Sequence, residues 1–169
     1  AGCGAAGLTG LPVRPVRGEV LRLRAPGGTP GFAHVIRGYA DGREVYLVPR
    51  RNGEVVVGAT AHERADDDVT AGAVLELLRA ATDLIPEIEE YALVEAQSGA
   101  RPGSPDNRPM LGQWAAGSRD VVVAAGHYRH GILLTPVTAD LITALLVDGE
   151  APPEAFAAAR FTKRRTACA

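Results

Sequence analysis

The chain has 169 residues, 46% hydrophobic and 22% charged, with a formal net charge of −2. That suffices for one domain with a real core, or for one large piece of a longer protein, and leaves neither a basic field for nucleic acid nor an acidic tail. Cys3 and Cys168 stand near opposite ends without metal-like spacing, which argues against a disulfide or zinc framework and for a reducing cytoplasm.

The chain opens on "GCGAAG", whose Gly2, Gly4 and Gly7 satisfy G-x-G-x-x-G. That pattern holds a pyrophosphate only after a strand and at the head of a helix. Here no strand precedes it and "LTGLPVRP", with two prolines, follows. The match reads as accidental, and nothing at the start has the charged-then-apolar order of a signal peptide.

"GEVLRLR" (Gly18–Arg24) alternates apolar and polar residues as a half-buried strand does. "AHVIRG", "REVYLVPR" and "EVVVGAT" follow, separated by "ADG" and "RNG", and NG between two apolar runs is a hairpin signal. These segments predict consecutive antiparallel strands. In "TAGAVLELLRAATDLIP" the period changes: Val74, Leu77, Leu78, Ala81 and Ile85 fall on one helical face, Thr70 can cap the start, and Pro86 ends it. "YALVEAQSGARP" returns to strand character, and "RDVVVAAG" (Arg119–Gly126) reads as a continuous, fully buried strand.

The segment Ile132–Val147 is the second predicted helix. It contains Pro136 and Asp140 and is too short to span a membrane. Its polar side is little more than Pro136, Asp140 and Thr143, so it belongs inside a larger protein rather than on a small domain's surface. The final "TKRRTACA" reads as a solvated tail. The elements together predict an α+β fold, a mixed and mostly antiparallel sheet with helices.

Three places carry candidate chemistry. In "SGARPGSPDNRPMLG", Arg101 ends a strand and Pro102, Gly103 and Pro105 stiffen the turn after it. Arg101 either pairs with a surface carboxylate or offers its planar fork to a substrate carboxylate. In "AAGHYRHGILLTP" a strand, a glycine, a short polar loop and an apolar helix present backbone N–H groups and a helix dipole to something electron-rich, with Arg129 in the loop. His127 and His130 have no third ligand at metal spacing, so no metal site is expected, and His34 and His62 read as ordinary surface or hairpin histidines. Tyr46 either packs on its strand or walls a pocket with its ring and reaches a ligand with its hydroxyl. No Ser-His-Asp order, nucleophile elbow or H-E-x-x-H supports a hydrolase.

Together, "PVRGEV" (Pro15–Val20), "YLVPR" (Tyr46–Arg50), "VVVGAT" (Val55–Thr60), "GARPGSPDNRPMLG" and "AAGHYRHGILLTP" resemble the C-terminal part of the D-amino-acid-oxidase-like flavoenzymes, the glycine oxidases in particular. The resemblance runs from about Leu11 to Gly149 and implies two domains, a Rossmann-like one for FAD and an antiparallel sheet that roofs the flavin and binds substrate. It divides this chain into the end of the FAD-binding domain (1–12), the substrate-binding sheet (13–117), a strand–loop–helix returning to the FAD domain (118–150) and a tail (151–169), with most of the FAD domain missing. Arg101 and Arg129 occupy the motif positions that hold the substrate carboxylate, and Tyr46 the position that encloses the substrate. The same resemblance implies that Gly126, His127, Tyr128, Arg129, His130, Gly131, Ile132 and Leu133 form the wall against the flavin. Tyr128 and His130 depart from a loop that in these enzymes reads closer to "GHFRNG".

The implied chemistry is oxidation of an amino acid's α-carbon by hydride transfer to FAD, then imine hydrolysis and reoxidation by oxygen. The protein itself supplies orientation and electrostatics and no catalytic base. Glycine as substrate, serving the thiazole of thiamine, is the resulting expectation, with this piece alone inactive. Sarcosine or a D-amino acid as substrate is the alternative, and a carboxylate-binding module without redox activity is another. A small amino acid and the absent FAD domain are the expected partners, neither nucleic acid nor membrane is expected, and a homo-oligomer is left open.

Overall fold

The computed structural model describes residues 2–116 and 119–164. The order of elements is α1 (Ala5–Thr9), β1 (Arg14–Arg24), β2 (Ile36–Ala40), β3 (Arg43–Pro49), β4 (Glu54–Gly58), α2 (Ala71–Leu84), β5 (Ala92–Gly103), β6 (Met110–Ala116), β7 (Arg119–Ala125) and α3 (Thr135–Val147), with short 3-10 turns between and after them. It is the expected α+β fold with antiparallel strand pairs. Chain contacts group it into two compact units, Arg17–Ala100 and Ala1–Val16 with Arg101–Ala169.

The unit Arg17–Ala100 carries most of a five-stranded sheet in the order β2-β3-β4-β1-β5. Strands β2 and β3 are joined by Asp41 and Gly42, both at positive φ (50° and 76°), with Ala40 paired to Arg43. Such a two-residue loop matches the right-handed strand twist, and aspartate and glycine tolerate the left-handed backbone it demands. One sheet face presents Leu21, Leu23, Val45, Leu47, Val55 and Val57, all nearly or fully buried. Onto it packs α2 through Leu77, Ala80 and Ala81, with Val74 and Leu78 beside them, the stripe that a 3.6-residue period creates. Each large aliphatic buried in this way stabilises the fold by about 1.5–3 kcal/mol. Thr70 caps α2 by accepting the amide of Ala73 at 3.1 Å, and Pro86 stops it and opens a 3-10 turn to Glu90.

The other unit is built on the hairpin β6–β7, paired from Met110↔Ala125 to Ala116↔Arg119. Its core gathers Ala5, Leu11, Val13, Met110, Val123, Ala125 and Ala158, with Trp114 and Phe161 against it. The Trp114 indole donates to the Thr9 carbonyl at 2.8 Å, closing α1 onto the hairpin.

Several expectations are corrected. Strand β6 has no counterpart among the predicted elements, although Gly117-Ser118 between two apolar runs is a hairpin signal in the sequence. Strand β7 is not fully buried: Val123 and Ala125 point inward while Val122 is 41% exposed, as a strand covered on one face requires. Helix α3 begins at Thr135 rather than Ile132. Pro136 has no N–H to give Ile132 and its ring crowds that carbonyl, so the helix starts just before the proline. Of the tail, Thr162–Arg164 closes a 3-10 turn (Ala158–Arg164), while residues 165–169, Cys168 among them, lie outside the described residues. Among the described residues no helix is long and apolar enough to cross a membrane.

Candidate functional site

Within the unit formed by the chain ends, the last residues of β5, Arg101–Gly103, meet the loop after β7. Gly103 and His127 form an isolated antiparallel bridge, and the amide of Tyr128 donates to the Pro102 carbonyl at 3.0 Å. This brings the strand end that carries Arg101 beside the 126–131 loop that carries Arg129. Gly126 turns the chain at φ 73° with no room for a side chain, since a Cβ there would sit 3.0 Å from Met110 Cε and 3.2 Å from Ser104 Cβ. Tyr128 follows at φ 52°, a left-handed backbone that costs a non-glycine residue about 1 kcal/mol or more. Its own bond to Pro102 and that from the His130 amide to the His127 carbonyl (2.9 Å) hold it there. Arg129 is exposed, its guanidinium 5.5 Å from the Tyr128 ring centroid, and His130 is exposed as well.

The loop feeds α3 through Gly131, Ile132 and Leu133. Among the described residues, the amides of these three donate to no protein acceptor, and α3 has no acidic residue in its first turn. Ile132 is 94% exposed and Leu133 74%. A Cβ on Gly131 would touch only His127 Cβ, at 3.9 Å. Open N–H groups at a helix start, with aliphatic neighbours and no competing anion, fit the electron-rich edge of a flat heteroaromatic ring. The glycines at the chain start do not fit a pyrophosphate: Gly4 caps a helix of five residues, closed at Gly10.

His127 turns inward, its Nε2 3.0 Å from the Thr138 hydroxyl of α3. Burial of the ring pushes its pKa below the usual 6.5, so the imidazole is neutral near pH 7. It borders a cleft of about 550 Å³ that Pro102, Ala124, Gly131, Thr135, Thr138 and Ile142 also line. No group of His, Cys, Asp and Glu among the described residues has the placement of a metal site.

The turn after Arg101 is held by residues that the sequence reading missed. The Arg14 guanidinium donates to the Ser104 carbonyl and, at 3.1 Å, to Asn107 Oδ1. Arg160 forms a two-pronged pair with Asp106 (Nε–Oδ2 3.1 Å, Nη2–Oδ1 2.9 Å). Partial burial acts to raise the Asp106 pKa. Hydrogen bonds from Arg160, the Arg108 amide and the Ser104 hydroxyl outweigh it and hold the carboxyl down to about 2. "SPDN" was legible as a turn, with Asp106 Oδ1 accepting the Arg108 amide at 3.1 Å, but its two arginine partners come from positions 14 and 160.

Tyr46 belongs to the other unit. It stands on the face of the sheet opposite α2, in register with Arg37 on β2 and Gly58 on β4. The Arg37 guanidinium lies 5.7 Å from its ring centroid, and the ring reaches across Gly58.

The model of the FAD dependent oxidoreductase family DAO matches residues 1–145, and the chain belongs to that family, whose cofactor is FAD. It is 40% identical over 155 residues to the bifunctional protein ThiO/ThiG of Synechocystis sp., covering 89% of this chain and 23% of that protein. It is 38% identical over 156 residues to glycine oxidase of Geobacillus kaustophilus, covering 92% of this chain and 39% of that one. The crystal structure of the Geobacillus kaustophilus glycine oxidase superposes with a TM-score of 0.73 at 36% identity, over 95% of this chain and 44% of that chain. The chain thus spans less than half the length of these relatives.

Proposed function

We propose that this chain is the substrate-side part of a flavoenzyme that oxidises a small amino acid, glycine above all, in the cytoplasm and in service of thiamine thiazole synthesis. Identity to glycine oxidase and to ThiO/ThiG supports glycine and the thiamine connection. On this reading residues 1–12 and 118–150 belong with an FAD-binding domain and residues 13–117 form the substrate domain. The observation that carries it is the bond from the Tyr128 amide to the Pro102 carbonyl, which sets Arg101 and Arg129 on adjacent chain segments at the open start of α3.

The bound flavin supplies the two-electron oxidation of the amine. Everything else falls to the chain's own residues. Arg101, stiffened by Pro102, receives the substrate carboxylate in its planar fork, and Arg129 adds a second positive charge from the loop. Tyr46 encloses the substrate with its ring. The amides of Gly131, Ile132 and Leu133 and the α3 dipole would favour negative charge on the edge of a bound flavin. Gly126 to His130 shape that wall, and neutral His127 braces it against α3 through Thr138. No side chain need act as a base, because orientation and electrostatics suffice.

The test is kinetics in the complete FAD-loaded protein, with hydrogen peroxide release from glycine, sarcosine and D-alanine ranking the substrates. Arg101→Lys keeps the charge and loses the fork, so kcat/KM for glycine falls about 10- to 150-fold, and Arg101→Met falls further. Wild-type kcat/KM in Arg101→Met overturns the carboxylate assignment. Absence of a flavin spectrum in the complete protein overturns the redox reading in favour of a carboxylate-binding module.

A further inference from the structure

Arg160 stands beyond residues 1–145, the part that matches the family. Its side chain is nonetheless only 15% exposed. Besides its two bonds to Asp106, it donates to the Arg108, Pro109 and Ala157 carbonyls, each at 3.0 Å. The segment that carries it is anchored independently, with Ala158 buried in the core and Ala157 bridging Leu111 on β6. What Arg160 grips is the turn 104–109. Inside that turn the fully buried Ser104 hydroxyl lies 2.7 Å from the Arg108 carbonyl and 3.0 Å from Asp106 Oδ1. Arg14 grips the same turn from the other end of the chain. Ser104 follows Arg101 by only Pro102 and Gly103, and both of those backbones are also paired, to Tyr128 and His127.

We propose that Arg160 is a positioning residue for substrate binding: through Asp106 it fixes the turn that aims Arg101, so the C-terminal segment Glu154–Arg164 is a strap that completes the carboxylate site. A guanidinium whose N–H groups go to this turn and to its own segment has little capacity left for a ligand, so its effect must pass through the turn. The expected signature follows from geometry. A displaced Arg101 still carries its charge but meets the carboxylate off its line, so ligand affinity suffers while the oxidation step, carried by the flavin, changes little. The inference rests on the reading of Arg101 as the carboxylate partner.

The experiment uses the complete FAD-loaded protein with Arg160→Gln, Asp106→Asn, the double variant, and Arg101→Met as reference. The probe is acetate, a carboxylate that cannot be oxidised as an amine, with its Kd read from the flavin absorbance. Glycine KM and kcat and amide hydrogen exchange at Asn107 and Tyr128 are measured alongside. We expect acetate Kd and glycine KM to rise about ten- to a hundred-fold in Arg160→Gln, with kcat within about three-fold of wild type. Flavin should be retained and exchange at both amides should be faster. Asp106→Asn, which keeps the shape of the side chain, should do the same, and the double variant should be no worse than either single one. If Arg101→Met loses acetate binding while Arg160→Gln and Asp106→Asn keep wild-type Kd and KM, the strap only stabilises the fold and the inference falls alone. If Arg101→Met itself binds acetate normally, the carboxylate reading falls and takes the inference with it.

Discussion

The phenol of Tyr46 lies flat over Gly58: a Cβ built on that glycine would sit 2.3 Å from the hydroxyl oxygen, 2.4 Å from Cζ and 2.8 Å from Cε2. The two residues are direct partners in the β3–β4 register, so the ring crosses its own neighbouring strand. Glycine is required here for space rather than for backbone freedom.

Gly58→Ala should therefore lower thermal stability by about 1–3 kcal/mol, the usual cost of overpacking. In a Tyr46→Ala background the same substitution should cost almost nothing, and the coupling in the double-mutant cycle measures the contact. Tyr46→Phe should give no relief, because Cζ and Cε2 crowd the site along with the oxygen. Equal losses in the wild-type and Tyr46→Ala backgrounds would show that the ring does not rest there.

Asp106 makes stability depend on acid. Its folded pKa of about 2 lies below the ordinary 3.8. The stabilisation is thus fully present above about 3.8 and is lost as pH falls through about 2. The carboxyl is 36% exposed, so solvent screening limits the contribution to about 1 kcal/mol. Melting curves from pH 6 to 2 should show a smaller acid loss in Asp106→Asn than in the wild type, and parallel curves would refute the pairing.

His127 should titrate below 6.5 in the folded chain, because burial disfavours its charged form. Its contribution to stability is then present above 6.5 and declines as pH falls through the folded pKa. Thr138→Val removes the hydroxyl partner without returning the ring to water, so the lowered pKa should persist. An NMR titration of the imidazole decides this; a return to the ordinary value in Thr138→Val would assign the shift to the hydroxyl instead of burial.

No residue of α3 is buried, and Val137, Leu146 and Val147 are exposed by 47%, 65% and 74%. With Ile132 and Leu133 they leave an apolar surface, which a lone soluble chain seldom carries. The 169-residue chain alone should self-associate as concentration rises, and Leu133→Glu with Leu146→Glu should reduce that association. Sedimentation velocity of both proteins is the check, and a concentration-independent monomer in the unsubstituted chain would contradict it.

Local elements were legible because their causes are local. Asp41-Gly42 makes its own turn, Thr70 reaches an amide three residues on, and Pro86 ends a helix wherever it stands. Arg101 was expected to end its strand, but β5 runs on through Pro102 to Gly103 and the turn begins at Ser104, whereas the helix–loop signal of "AAGHYRHGILLTP" needed only thirteen consecutive residues. What only the tertiary structure decided are contacts whose partners lie far apart in the chain. Arg14 meets Asn107 across 93 positions and Arg160 meets Asp106 across 54. No spacing rule links such residues, because the path of the backbone between them sets which side chains meet. The same holds for Tyr46 over Gly58: the sequence places both on strands, but only the register lays the ring on the one neighbour that has no side chain. Helix α3 marks the converse limit, for its apolar composition is plain in the sequence, yet among the described residues nothing covers it to full burial.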